Sequence, residues 1–139
     1  MDALMRLLLD TNVLIDVLKG ETTARDWLEE QQQPAVSVIT WIEVLVGCRT
    51  AESQTVEAWL DSFERLPLDR DVARESVQAR QRHGLKVPDA IILATARCHG
   101  LTLATRNSKD FPLSLGDVLH PYLLTLNAGH QRDWRAHAG

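Results

Sequence analysis

The sequence is short of several features that would each have fixed a class. It has two cysteines in 139 residues, Cys48 and Cys98, which is too few for a disulfide scaffold, and with no CxxC pair it carries no structural zinc motif. Reduced thiols in a cytoplasmic protein are the expectation. Aromatics make up only 5% of the chain and stand mostly at spacings that suit a core, so no stacking platform for single-stranded bases is indicated. The apolar run near the N-terminus is interrupted by Arg6 and Asp10, too brief for a signal peptide or a membrane span. The net charge of −4 argues against a protein that coats nucleic acid through a basic stripe. It does not exclude an enzyme acting on nucleic acid, because acids gathered at one site lower the total while cations elsewhere still meet phosphates. There is no P-loop and no Ser/His/Asp order. The five histidines, His83, His99, His120, His130 and His137, show no HExxH pairing and read as ordinary surface or core residues.

What is present is an alternation. With 45% apolar residues the chain is able to bury a core as one domain, set here at 1–126 with a loose tail over 127–139. Leu7-Leu8-Leu9 reads as a buried strand, and residues 11–19 as a helix stopped by Gly20. A helix over 22–31 follows, ended before Pro34, and then the β-branched stretch 35–39 as a second strand. Thr40 at its end predicts an N-cap for the next helix, with Glu43 closing a capping box. Val56, Trp59, Leu60 and Phe63 stand at i, i+3, i+4 and i+7, which predicts a helix over 53–65. A helix over 71–82, with Val72, Ala73, Val77 and Ala79 inward, is stopped by Gly84. Residues 87–96 are apolar on nearly every side and predict a central helix, with Pro88 in its first turn. Residues 101–105 form a third core strand, and a last short strand within 118–126 is confined to an edge by Pro121. Strands alternating with helices predict an α/β fold, a three-layer α/β/α sandwich with a mainly parallel sheet.

Four acids sit oddly in this scheme. Asp10 ends a wholly apolar strand, Glu43 interrupts an apolar run, Asp89 opens the most apolar helix, and Asp110 lies in the loop after the third core strand. Each has an ordinary explanation: a turn acid, a capping box, a favourable contact with a helix dipole, a surface turn. Together they fall along one rim of a doubly wound sheet, where such folds bind ligands. Two charges about 5 Å apart repel by roughly 3 kcal/mol at an effective dielectric near 20, so a cluster of this kind needs a counter-ion. Oxygen ligands select hard cations such as Mg²⁺ or Mn²⁺, which activate water and stabilise the oxygens of a phosphodiester undergoing hydrolysis.

The residues 9–16 (Leu-Asp-Thr-Asn-Val-Leu-Ile-Asp), 37–43 (Ser-Val-Ile-Thr-Trp-Ile-Glu), 88–96 (Pro-Asp-Ala-Ile-Ile-Leu-Ala-Thr-Ala) and 103–111 (Leu-Ala-Thr-Arg-Asn-Ser-Lys-Asp-Phe) resemble the four ordered motifs of PIN-domain ribonucleases. The chain is most similar to the VapC toxins of toxin–antitoxin pairs, over residues 6 to 124. The resemblance implies a Mg²⁺-dependent (or Mn²⁺-dependent) endoribonuclease that inhibits translation and growth. It implies that Asp10, Glu43 and Asp89 bind metal and that Asn12 and Thr105 orient the site. The fourth corner falls to Asp110 or to Asn107, since family members differ there. Asp16 matches a frequent family residue and is assigned a structural role. Cations flanking the acids, Arg80, Arg82, Lys86, Arg106 and Lys109, are the candidates for RNA contact. The resemblance also implies a VapB-type antitoxin, expected to dock in the groove between the helices over 11–19 and 53–65, and a homodimer. Two alternatives are a receiver-like phospho-acceptor signalling domain and a non-catalytic PIN-like binding protein. The first needs a lone acceptor acid at the end of a central strand, whereas 35–39 leads into Thr40. A phosphatase of the haloacid dehalogenase type needs a second Asp where Asn12 stands.

Overall fold

The computed structural model describes residues 5–124, so the tail predicted over 127–139 lies outside the described residues. Five strands, β1 (Leu7–Leu9), β2 (Ala35–Ser37), β3 (Glu64–Leu66), β4 (Thr102–Ala104) and β5 (Val118–Leu119), form one sheet in the order β3-β2-β1-β4-β5. All four pairings are parallel, with Leu8 opposite Ala35 on one side and Leu103 on the other. Six α-helices complete the described fold: α1 (Thr11–Leu18), α2 (Thr22–Glu29), α3 (Val38–Gly47), α4 (Ser53–Leu60), α5 (Arg70–His83) and α6 (Val87–Cys98). This is an α/β fold, a parallel sheet between two layers of helices.

Side-chain alternation along the strands builds the two layers. Leu7, Leu9, Val36 and Ala104 face a core shared with Val13 and Leu14 of α1, Val44 of α3, and Val56 and Leu60 of α4. Leu8, Ala35 and Leu103 face the opposite core, with Ala79 of α5 and Ala90, Ile92, Leu93 and Ala96 of α6. β1, bonded on both sides, is buried on both faces, as its three consecutive leucines require. Every residue of α6 from Ala90 to Ala96 is buried, in keeping with its all-round apolar sequence.

Three expectations are corrected. Residues 64–66 are not the end of a helix: α4 stops at Leu60, and Glu64–Leu66 is an edge strand in which only Leu66 is buried. The second strand ends at Ser37, whose hydroxyl caps α3 by accepting a hydrogen bond from the Ile39 amide at 3.0 Å. Thr40 is therefore not an N-cap, and Glu43 lies on the second turn of α3 instead of closing a capping box. On α5, Val72 and Ala79 point inward, but Ala73 and Val77 are exposed and line a groove against α6. The strand order also differs from the 2-1-3-4-5 order of flavodoxin-like sheets, which removes the architectural basis for a receiver-like domain. Among the described residues no helix is long and apolar enough to cross a membrane.

Candidate active site

Asp10 sits at the carboxyl end of the central strand and is also the N-cap of α1. Its side chain is 5% exposed and fully hydrogen-bonded. Oδ1 accepts from the Thr11 amide at 2.8 Å, while Oδ2 accepts from the Thr105 hydroxyl at 2.7 Å and the Asn12 amide at 3.2 Å. All three donors are neutral. Burial dominates these bonds and, with Asp89 and Glu43 adding like charge, lifts the Asp10 carboxyl from 3.8 to about 6.

The other acids reach the same place by different routes. Glu43 projects from α3, and its Oε1 accepts from the Thr11 hydroxyl at 2.6 Å. The buried Thr40 hydroxyl lies 3.1 Å from that of Thr11, so the two threonines link the start of α1 to the start of α3. Asp89 arrives on the first turn of α6, a helix that follows another helix, not a strand. Asp110 is bound to Asn107: the Asn107 amide donates to Asp110 Oδ2 at 2.9 Å, and the Asp110 backbone amide donates to Asn107 Oδ1 at 3.1 Å. Asn107 is anchored in turn, its backbone amide donating to Thr105 Oγ1 at 2.9 Å.

Asp10, Glu43, Asp89 and Asp110 line one cleft of about 270 Å³, together with Thr11, Asn12, Asn107 and Lys86. Thr105 is fully buried and acts from beneath it. Of the flanking cations only Lys86 lines the cleft. Arg82 and Lys109 are exposed. Arg80 lines the α5/α6 groove and donates to the Leu85 carbonyl. Arg106 departs furthest from the sequence reading, since its guanidinium is turned onto Asp16. The hydroxyls of Thr11 and Thr40 are the site residues that sequence reasoning passed over. Thr11 stands between Asp10 and Asn12, and that adjacency was the available signal.

Chemically the cleft is an all-oxygen donor set with one cation on its margin. Its most buried member is a carboxylate held by neutral groups near two further acids, an arrangement that gains from a positive ion. As the side chains stand, no group of three or more His, Cys, Asp or Glu among the described residues is arranged to hold a metal ion. Asp10 is fixed by three bonds, whereas Asp110 is exposed and Glu43 half-buried.

A family model for the PIN domain matches residues 7–112. The chain belongs to the PIN domain family. All the acids of the cleft fall inside the matched PIN segment. Among curated PIN relatives, Ribonuclease VapC10 of Mycobacterium tuberculosis is 36% identical over 115 residues, covering 77% of this chain and 86% of that protein. Among solved structures, a toxin–antitoxin complex from Klebsiella pneumoniae superposes with a TM-score of 0.81 at 44% identity, covering 85% of this chain and 99% of that one. FitAcB from Neisseria gonorrhoeae superposes with a TM-score of 0.69 at 28% identity, again over 85% of this PIN chain and 99% of that one.

Proposed function

We propose that this PIN domain is the toxin of a toxin–antitoxin pair, a divalent-metal-dependent endoribonuclease. The observation that carries the reading is the gathering of Asp10, Glu43, Asp89 and Asp110 around one cleft at the carboxyl rim of the sheet. Similarity to a named ribonuclease and to a toxin–antitoxin complex supports it. Asp10, Glu43, Asp89 and Asp110 would hold Mg²⁺, or Mn²⁺ in its place. The bound ion supplies Lewis acidity and a more acidic water for phosphodiester hydrolysis. Asn12 and Thr105 fix Asp10 in one orientation, Asn107 sets the position of Asp110, and Thr11 steers Glu43. Between Asn107 and Asp110, Asp110 is the better ligand, because Asn107 Oδ1 already accepts the Asp110 amide and Asp110 keeps a second oxygen.

Lys86 meets the RNA phosphate at the mouth of the cleft, with Arg82 and Lys109 as outer contacts. With no exposed aromatic among the described residues, recognition rests on RNA shape and loops. A VapB-type antitoxin occupies the helical face beside the site. α3 packs against both α1 and α4 there, and its Ile42 and Val46 are 46% and 60% exposed one turn apart. A homodimer is part of this reading.

The experiment is RNA cleavage by the purified full chain with EDTA, Mg²⁺ or Mn²⁺, repeated with Asp10→Asn and Asp89→Asn. Cleavage that needs the metal and is lost in both variants is the expected result. Undiminished cleavage in both variants, or in EDTA, overturns the reading.

A further inference from the structure

A second cluster of charged side chains lies directly behind the cleft. Asp16, on the second turn of α1, is 2% exposed, and its carboxylate faces three donors. Arg106 grips it with a two-pronged fork, Nε donating to Oδ2 and Nη2 to Oδ1, the latter at 2.7 Å. The Tyr122 hydroxyl, from the segment after β5, donates to Oδ2 at 2.7 Å, and the Tyr122 ring packs on Trp27 of α2 with centroids 5.9 Å apart. Burial, together with the hydrogen bond to Asp16, holds the Tyr122 phenol protonated far above its usual range.

Arg106 is the second link between the same two elements. Its backbone amide donates to Asn12 Oδ1 at 3.1 Å, and Asn12 in turn donates to Asp10 and to Thr105. The loop after β4, which carries Asn107 and Asp110, is thus joined to α1 at two heights: at the rim through Asn12, and one turn deeper through Asp16. Two attachment points fix an angle where one would leave a pivot.

We infer that Asp16, Arg106 and Tyr122 are positioning residues that set where the loop carrying Asp110 stands relative to Asp10, and that Arg106 is not an RNA contact. The inference rests on the proposed metal-dependent site. Groups outside a ligand set that orient it typically change metal affinity or activity by about 10–100-fold. A planar fork cannot be replaced by an ammonium group of the same charge.

The test uses the full chain with Arg106→Lys, which keeps a cation beside the buried carboxylate, and Tyr122→Phe, which removes one bond and keeps the ring. Mn²⁺ affinity is measured by calorimetric titration. Amide hydrogen exchange is followed at Arg106, Asn107 and Asp110 without metal, and kcat and KM are measured on RNA. The expected result for Arg106→Lys is faster exchange at those three amides, Mn²⁺ binding weakened about tenfold or more, and a lower kcat with KM unchanged. Tyr122→Phe shifts the same quantities by less. Exchange at wild-type rates in both variants overturns the tether whatever the metal does. Wild-type Mn²⁺ affinity in Arg106→Lys overturns its role in setting the site. A raised KM that grows with salt while kcat is kept would mark Arg106 as a phosphate contact and overturn the inference. A wild-type chain that takes up no Mn²⁺ sinks the metal reading and the metal-setting role together, a result separable from the exchange data.

Discussion

Asp10 caps one helix and Asp16 lies six positions on, in its second turn; both are buried, at 5% and 2% exposure. Their surroundings are opposite. Asp16 faces a guanidinium and a phenol from distant parts of the chain, so its charge is matched within the fold. Asp10 faces two side-chain donors and a backbone amide, all neutral, and its carboxyl is pushed up to about 6, first by burial and then by the two acids nearby. Burial alone therefore separates nothing. The difference lies in the bonded partners: at position 16 the chain supplies a guanidinium, and at position 10 only neutral donors.

The contrast makes its largest prediction in activity. Asp10→Asn is expected to lower cleavage by about two orders of magnitude or more, as removal of charge-stabilising groups does elsewhere, in a time course with saturating Mg²⁺. Retained activity would put Asp10 in the same structural class as Asp16. Next comes stability. Arg106→Ala leaves the Asp16 carboxylate buried beside Tyr122 alone, which costs about 3–5 kcal/mol for a fully enclosed pair. Arg106 is 33% exposed, which brings the expectation to about 2–3 kcal/mol, read as a shift in the urea midpoint.

The third prediction concerns pH. In the metal-free chain the folded state keeps the Asp10 proton until about pH 6, whereas an unfolded aspartate releases it near 3.8. Folded stability on this account is highest below pH 4 and falls as pH rises through 4 to 6. The loss is about 3 kcal/mol at roughly 1.4 kcal/mol per unit. Urea denaturation in EDTA at pH 4.5, 5.5 and 7 measures it against Asp10→Asn, where the contribution should vanish. Saturating Mn²⁺ at pH 7 should restore the stability. The smallest effect is that of Tyr122→Phe, about 1.5 kcal/mol, the low end for one hydrogen bond to a charged group, seen as a lower thermal midpoint.

The sequence made the rim of acids readable because each acid broke a local pattern: Asp10 after three leucines, Asp89 opening an apolar helix. The alternation of strands and helices was readable for the same reason, since burial on both faces of β1 demands an unbroken apolar run. β3 was hidden because its edge position exposes Glu64 and Arg65, and the helical spacing of Val56, Trp59, Leu60 and Phe63 runs up to its first residue. The start of α3 was hidden because no loop separates it from β2. Ser37 is at once the last strand residue and the cap, while the β-branched Val38 and Ile39 read as more strand. The Asp16–Arg106 pair was hidden for another reason: its members lie 90 residues apart, and nothing local in the sequence announces a pair that only the fold brings together.

The bond from Tyr122 to Asp16 spans 106 residues. During synthesis the four acids are all in the chain before the last partner of Asp16 has been made. The rim can assemble from the segments that carry β1 to β4, but the strap behind it closes only when Tyr122 has left the ribosome. The strap is thus the last part of this arrangement to be made, after every acid of the rim.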